Sequence, residues 1–116
     1  MFTIDSETNA ILLTKGNTAY FDLVITDPSD DSTYSILATD IITMSVKKHK
    51  DSLVEIFTKT ASATGRFTIL PEDTIPLVAG TSYVYDIKLV QINGDVTTVV
   101  PWSPFVVDWR VTEWHN

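Results

Sequence analysis

The sequence predicts an all-β fold: an immunoglobulin-like antiparallel β-sandwich of about eight strands, as a single domain over residues 1–116. Three observations predict it. Short segments alternate apolar and polar residues with a period of two, the spacing that puts successive side chains on opposite faces of a strand. Turn-forming residues interrupt these segments at short, fairly regular intervals. No segment carries the longer apolar period of an extended helix. A small β-barrel is the alternative architecture.

The clearest element is a hairpin over residues 82–100. Tyr83, Tyr85, Ile87 and Leu89 share one face of its first strand, and Val84, Asp86, Lys88 and Val90 share the other. Asn93-Gly94 predicts a type I′ turn, in which both central residues take positive φ. The β-branched residues of 96–100 suit the return strand.

The remaining elements follow in chain order. Residues 2–4 and 10–13 form short strands, with a turn at 14–17. Residues 18–26 predict a strand with Ala19, Phe21, Leu23 and Ile25 toward the core. Residues 27–32 favour local side-chain-to-backbone bonds and read as a loop. A short edge strand is expected at 33–37. Ile42, Met44 and Val46 point inward from a strand at 41–47, and a polar connection follows. Residues 52–59 pair back, with Leu53, Glu55 and Phe57 opposed to Val54 and Ile56; either face fits the core. After a loop at 60–65, Phe67 and Ile69 share one side of a strand at 66–70. Pro71-Glu72-Asp73-Thr74 reads as one helical turn, with proline at its first position and acidic residues at its positive end. Pro76 and Gly80 stop it from growing. Residues 101–104, with prolines at both ends, predict a rigid break. The last strand is expected at 105–111, with Phe105, Val107, Trp109 and Val111 on one face.

Composition narrows the function classes. There is no cysteine, which excludes disulfides and thiolate-bound metals. The net charge of −7 argues against binding the phosphates of nucleic acid and against an anionic membrane surface. No apolar run reaches the roughly 20 residues of a membrane-spanning helix. The first ten residues lack a basic stretch followed by an apolar one, so no secretory signal is expected.

The residues that carry chemistry are sparse. His49 sits among lysines and His115 is next to last; neither has a visible partner to orient it as a general base. No nucleophile elbow or glycine-rich phosphate loop is present. Asp27, Asp30 and Asp31 are the best oxygen donors for Ca²⁺, but their spacing does not match an EF-hand loop, and a solvated acidic turn is the simpler reading. Asp73 and Asp86 could meet across a loop. Lys47, Lys48 and Lys50 form one basic run, read as a solvated turn that guards a strand edge. No catalytic residue, cofactor or metal ligand is therefore predicted. Trp109 shares a face with Phe105 and Val107 and reads as core. Trp102, between prolines, and Trp114, in the tail, are the predicted interface residues. Exposed Trp and Tyr faces also stack on sugars, so a carbohydrate-binding module contacting a host cell surface is the alternative function.

The order of motifs carries a resemblance. Gly16-Asn-Thr-Ala-Tyr-Phe-Asp-Leu23 comes early, followed by Asp40-Ile-Ile-Thr-Met-Ser-Val-Lys47. Then come Phe67-Thr-Ile-Leu-Pro-Glu-Asp-Thr74, Tyr83-Val-Tyr-Asp-Ile-Lys-Leu89, Thr97-Thr-Val-Val100 and Phe105-Val-Val107. Together they resemble small β-sandwich proteins of bacteriophages and prophages of Gram-positive bacteria, and the N-terminal domain of the baseplate upper protein family. The resemblance spans nearly the whole chain but rests on fold-level motifs. The residues 101–104 depart from it, where a plain turn and a glycine are expected. It implies a non-enzymatic virion structural or assembly protein of the baseplate, tail or capsid. Such a protein works through contacts with other virion proteins or with itself, and resides in the bacterial cytoplasm before assembly.

Overall fold

The computed structural model describes residues 2–4, 8–26 and 32–108. Among these residues eight strands form: β1 (Phe2–Ile4), β2 (Ile11–Thr14), β3 (Ala19–Asp22), β4 (Ile41–Lys47), β5 (Phe57–Thr60), β6 (Arg66–Ile69), β7 (Thr81–Val90) and β8 (Val96–Asp108). A 3-10 turn at Pro71–Thr74 is the one helical element among the described residues. The fold is all-β, as the alternation predicts. Six strands make a sheet in the order β1-β2-β8-β7-β4-β5, curled into a half-barrel, and β3 pairs with β6 in a small second sheet.

Burial sets the register. Tyr83, Tyr85, Ile87 and Leu89 of β7 are buried, as are Ile42, Met44 and Val46 of β4. They meet Ile11 and Leu13 of β2, Phe105 and Val107 of β8, and Phe67 and Ile69 of β6 in one cluster. Phe21 stacks on Phe67 with ring centroids 5.3 Å apart. Phe105 receives Phe57 and Tyr85 edge-on at 6.0 and 6.2 Å. Each such side chain is worth about 1.5–3 kcal/mol when taken out of water. A slip of one residue would turn a whole strand's set to solvent, so the pairing is strongly specified.

The large sheet is mixed and not wholly antiparallel, because β2 runs parallel to β8. Residues 15–95 lie between these two strands. No hairpin constrains them, and a long crossover satisfies parallel pairing.

The expected break at 101–104 does not occur: β8 runs unbroken through Pro101 and Pro104. β2 borders β8 only at residues 105–108, so at both prolines β7 is the sole neighbouring strand among the described residues. A missing N–H costs little where no second strand waits for it. Tyr85 pairs with Ser103 and Ile87 with Val100, so Pro101 and Trp102 together oppose Asp86. This is a β-bulge, which bends the strand without ending it. Ser103 Oγ donates to the Pro101 carbonyl at 2.8 Å and fixes the bend.

The turn at Asn93-Gly94 is not type I′. Asn9 is the sole non-glycine residue at positive φ among the described residues, so only Gly94, at φ 92°, takes the left-handed region. The Gly94 N–H donates to Gln91 O and the Gln91 N–H to Asp95 O, both at 2.9 Å. That pattern fits a three-residue loop with a left-handed glycine at its end. Asn93 Oδ1 accepts the Asp95 N–H at 2.9 Å, the local bond that suits asparagine to this position.

Three predicted strands are shorter than their alternation suggests. β3 ends at Asp22, and only a Thr26–Thr33 bridge continues its line. That bridge is all that forms of the edge strand expected at 33–37. Residues 52–56 lie outside the strands, and β5 begins at Phe57. The expected core positions Trp109 and Val111 lie outside the described residues.

The 3-10 turn links two parts of the fold. Thr74 is buried; its Oγ1 donates to the Pro71 carbonyl and accepts the Gly16 N–H, each at 3.0 Å. The Asp73 carboxylate accepts the Leu70 N–H at 2.7 Å and meets Lys59 Nζ at 2.7 Å, tying the turn to β5.

Candidate functional site: an open strand edge and its groove

The incomplete contact between β2 and β8 has a local consequence. From 96 to 104, β8 has β7 on one side and, among the described residues, no strand on the other. Its first five residues, Val96-Thr97-Thr98-Val99-Val100, carry no charge and no proline. Native edges are usually guarded by such residues. Across from this edge run residues 23–26. On their far side the Leu23 N–H donates to Gly65 O at 2.9 Å, and Ile25 O accepts the Tyr34 N–H at 2.8 Å. Leu23 and Ile25 thus use these backbone groups on the far side, and Val24 lies between them. Val24 itself is 68% exposed.

Between the β8 edge and residues 23–26 lies a groove of about 630 Å³. Leu89 forms part of its apolar base, with Leu23, Ile25 and Val100 on the walls; Tyr34, Gln91, Thr97 and Thr98 bring polar groups to it. Among the described residues no Asp, Glu, Lys, Arg or His lines it. Tyr34 is held in place: its hydroxyl donates to Asp40 Oδ2 at 2.7 Å and accepts from Gln91 Nε2 at 3.3 Å. The bond to Asp40 raises the Tyr34 pKa above the ordinary phenol value, so this hydroxyl keeps its proton. Asn9, at φ 60°, closes one end, and its carbonyl accepts the Tyr85 hydroxyl. Burial pushes the Tyr85 pKa up to about 12.

The predicted interface residue Trp102 lies elsewhere, at the bulge of β8. It is half-buried, and Lys47 Nζ sits 5.2 Å from its ring centroid. One ring face is therefore already occupied by the protein's own cation. Lys47 belongs to β4 and to this contact; only Lys48 and Lys50 of the basic run are exposed turn residues. Beside it, Asp86 is 4% exposed, with Lys88 Nζ 4.0 Å from Oδ2. Burial raises the Asp86 pKa, and Lys88 and Lys47 offset part of that.

Asp73 and Asp86 take different partners, Lys59 and Lys88. Among the described residues no three His, Asp or Glu side chains gather as a metal site. Asp27, Asp30, Asp31, Trp114 and His115 lie outside the described residues. His49 is exposed in the turn after β4, where its N–H donates to Ser52 Oγ at 3.3 Å. Sequence reasoning named none of the groove residues as a site. The one available signal was the uncharged β-branched run at 96–100.

No family model, no curated protein and no solved structure matches this chain.

Proposed function

We propose that this protein is a non-enzymatic structural or assembly module of a phage or prophage virion, of the baseplate, tail or capsid, acting through protein–protein contacts. The observation that carries the contact reading is the uncharged edge of β8 at residues 96–100, unpaired among the described residues and facing residues 23–26 across a groove. Such an edge accepts an added strand through main-chain hydrogen bonds, and apolar pockets beside it select its side chains. The sequence resemblance supplies the virion setting. The test is to induce the source cells, band particles on a density gradient and blot the fractions. Co-migration with intact particles is expected. Protein left wholly in the soluble fraction refutes the virion placement.

A second reading, a carbohydrate-binding module for the host surface, is favoured by the Tyr34 hydroxyl, the Gln91 amide and the Thr97 and Thr98 hydroxyls at one groove. Trp102 contributes less to it than its sequence suggests, since Lys47 covers one ring face. Calorimetric titration with host cell-wall glycans tests it; absence of saturable heat removes it.

A further inference from the structure

The contact reading above leaves the partner open, and the structure holds a matching segment. Residues 52–56 connect β4 to β5. Leu53 is 96% exposed and Val54 76% exposed, the two most exposed of the large apolar residues among those described except for Ile92 at 78%. The segment is pinned at its ends: the Ser52 N–H donates to His49 O at 3.0 Å and the Ile56 N–H to Val46 O at 2.7 Å. Between them no backbone hydrogen bond holds Leu53, Val54 or Glu55 among the described residues. Apolar side chains and unpaired backbone thus stand together in solvent, as they do at the groove.

We infer that residues 52–56 of one copy enter the groove of a second copy as an added strand. Both pieces are five residues long, about 16 Å at the rise of a β-strand. Val54 and its neighbours supply the apolar side chains that Leu23, Ile25, Leu89 and Val100 leave room for. Among the described residues the groove is lined by no charged side chain, so none of them repels a chain of net charge −7. The two pieces also lie at opposite ends of the molecule's central strands. Residues 48–56 follow Lys47, which pairs with Val84, whereas the groove adjoins Leu89 and Gln91 at the far end of β7. A contact between unlike surfaces at opposite ends does not close as a two-fold dimer, and it propagates head to tail. Long-range repulsion between acidic copies is screened by salt, so association strengthens as salt rises.

Sedimentation velocity over a range of concentrations and salt tests this. The wild-type chain forms a concentration-dependent series larger than the monomer, enhanced by salt. Val54→Asp removes the inserted side chain and Thr98→Lys guards the edge; both positions are exposed, and thermal melts verify folding. Should either variant fail to fold, Leu53→Asp or Thr97→Lys takes its place. Each variant alone sediments as a monomer. Mixed together, the groove of the first accepts the segment of the second, giving a 1:1 dimer and nothing longer. A wild-type chain that stays monomeric, variants that still assemble, or a mixture that stays monomeric each overturns the inference. Particle banding separates the two levels. A monomeric chain that co-migrates with particles loses this contact and keeps the virion role; a self-assembling chain absent from particles does the reverse.

Discussion

Gly65 holds the wall of the groove, and a pair of alanine substitutions measures how tightly. Its N–H donates to Ser62 O and its carbonyl accepts the Leu23 N–H, at 2.9 Å each. Its φ of +87° lies in the left-handed region, where a Cβ costs about 1–2 kcal/mol. A methyl there also falls 2.8 Å from Ile36 Cδ1 and 3.2 Å from the Leu23 carbonyl oxygen. The Ile36 end can rotate away, but the Leu23 carbonyl is backbone and moves only with the wall. Overpacking of this kind adds about 1–3 kcal/mol. Gly94 is the control. Its φ is +92°, yet a Cβ there meets nothing within 4 Å. Gly94→Ala therefore pays the conformational cost alone, about 1–2 kcal/mol, whereas Gly65→Ala costs about 2–5 kcal/mol. For a chain of this size the difference amounts to roughly 5–10 °C in Tm. Urea unfolding of both variants, with thermal melts alongside, gives the numbers. Equal losses would refute the steric argument, and no loss at Gly65 would refute both.

Three further outcomes follow from buried polar groups. Thr74→Val strands the Gly16 N–H and removes the hydroxyl's bond to the Pro71 carbonyl, and costs about 1–3 kcal/mol in urea unfolding. Tyr85→Phe removes the donor to Asn9 O at a similar cost of about 1–3 kcal/mol. It also changes the alkaline limb: the Tyr85 pKa is raised to about 12, so its contribution is complete below the unfolded value and is lost as pH climbs through the folded one. The wild type then loses stability between about pH 10 and 12, and the Phe variant loses less. Asp86 works in the opposite sense from a paired carboxylate. Burial raises its pKa, so the folded state binds the proton more tightly, and the ionised form costs stability at neutral pH. Asp86→Asn raises Tm at pH 7, and the gain fades as pH falls through the folded pKa toward about 4. A loss at pH 7 would show that attraction to Lys88 and Lys47 outweighs burial.

The sequence was most legible where burial is decided locally. The alternation of Tyr83, Tyr85, Ile87 and Leu89 marks the core face of β7 because period-two burial needs no knowledge of the partner strand. The same holds for β4 and for Phe67 and Ile69 of β6. Pro101 and Pro104 misled for a complementary reason. A proline ends a strand only when its absent N–H is needed, and that depends on whether β2 reaches so far along β8. Leu53 and Val54 alternate like a strand, yet the β4 pairing begins only at Phe57. The groove was out of reach, since its walls are more than seventy residues apart and Tyr34 meets Gln91 from 57 positions away. Trp102 was found as a residue, but its cover, Lys47, comes from another strand.

The central claim is that the β8 edge at residues 96–100 is open in the isolated chain and is filled on association. Amide hydrogen exchange at these residues, compared between dilute and concentrated protein, tests it most directly. The account predicts that amides facing away from β7 exchange fast when dilute and become protected on association, together with those of residues 53–55. Rates that are slow in dilute protein, or that stay the same at both concentrations, would contradict it.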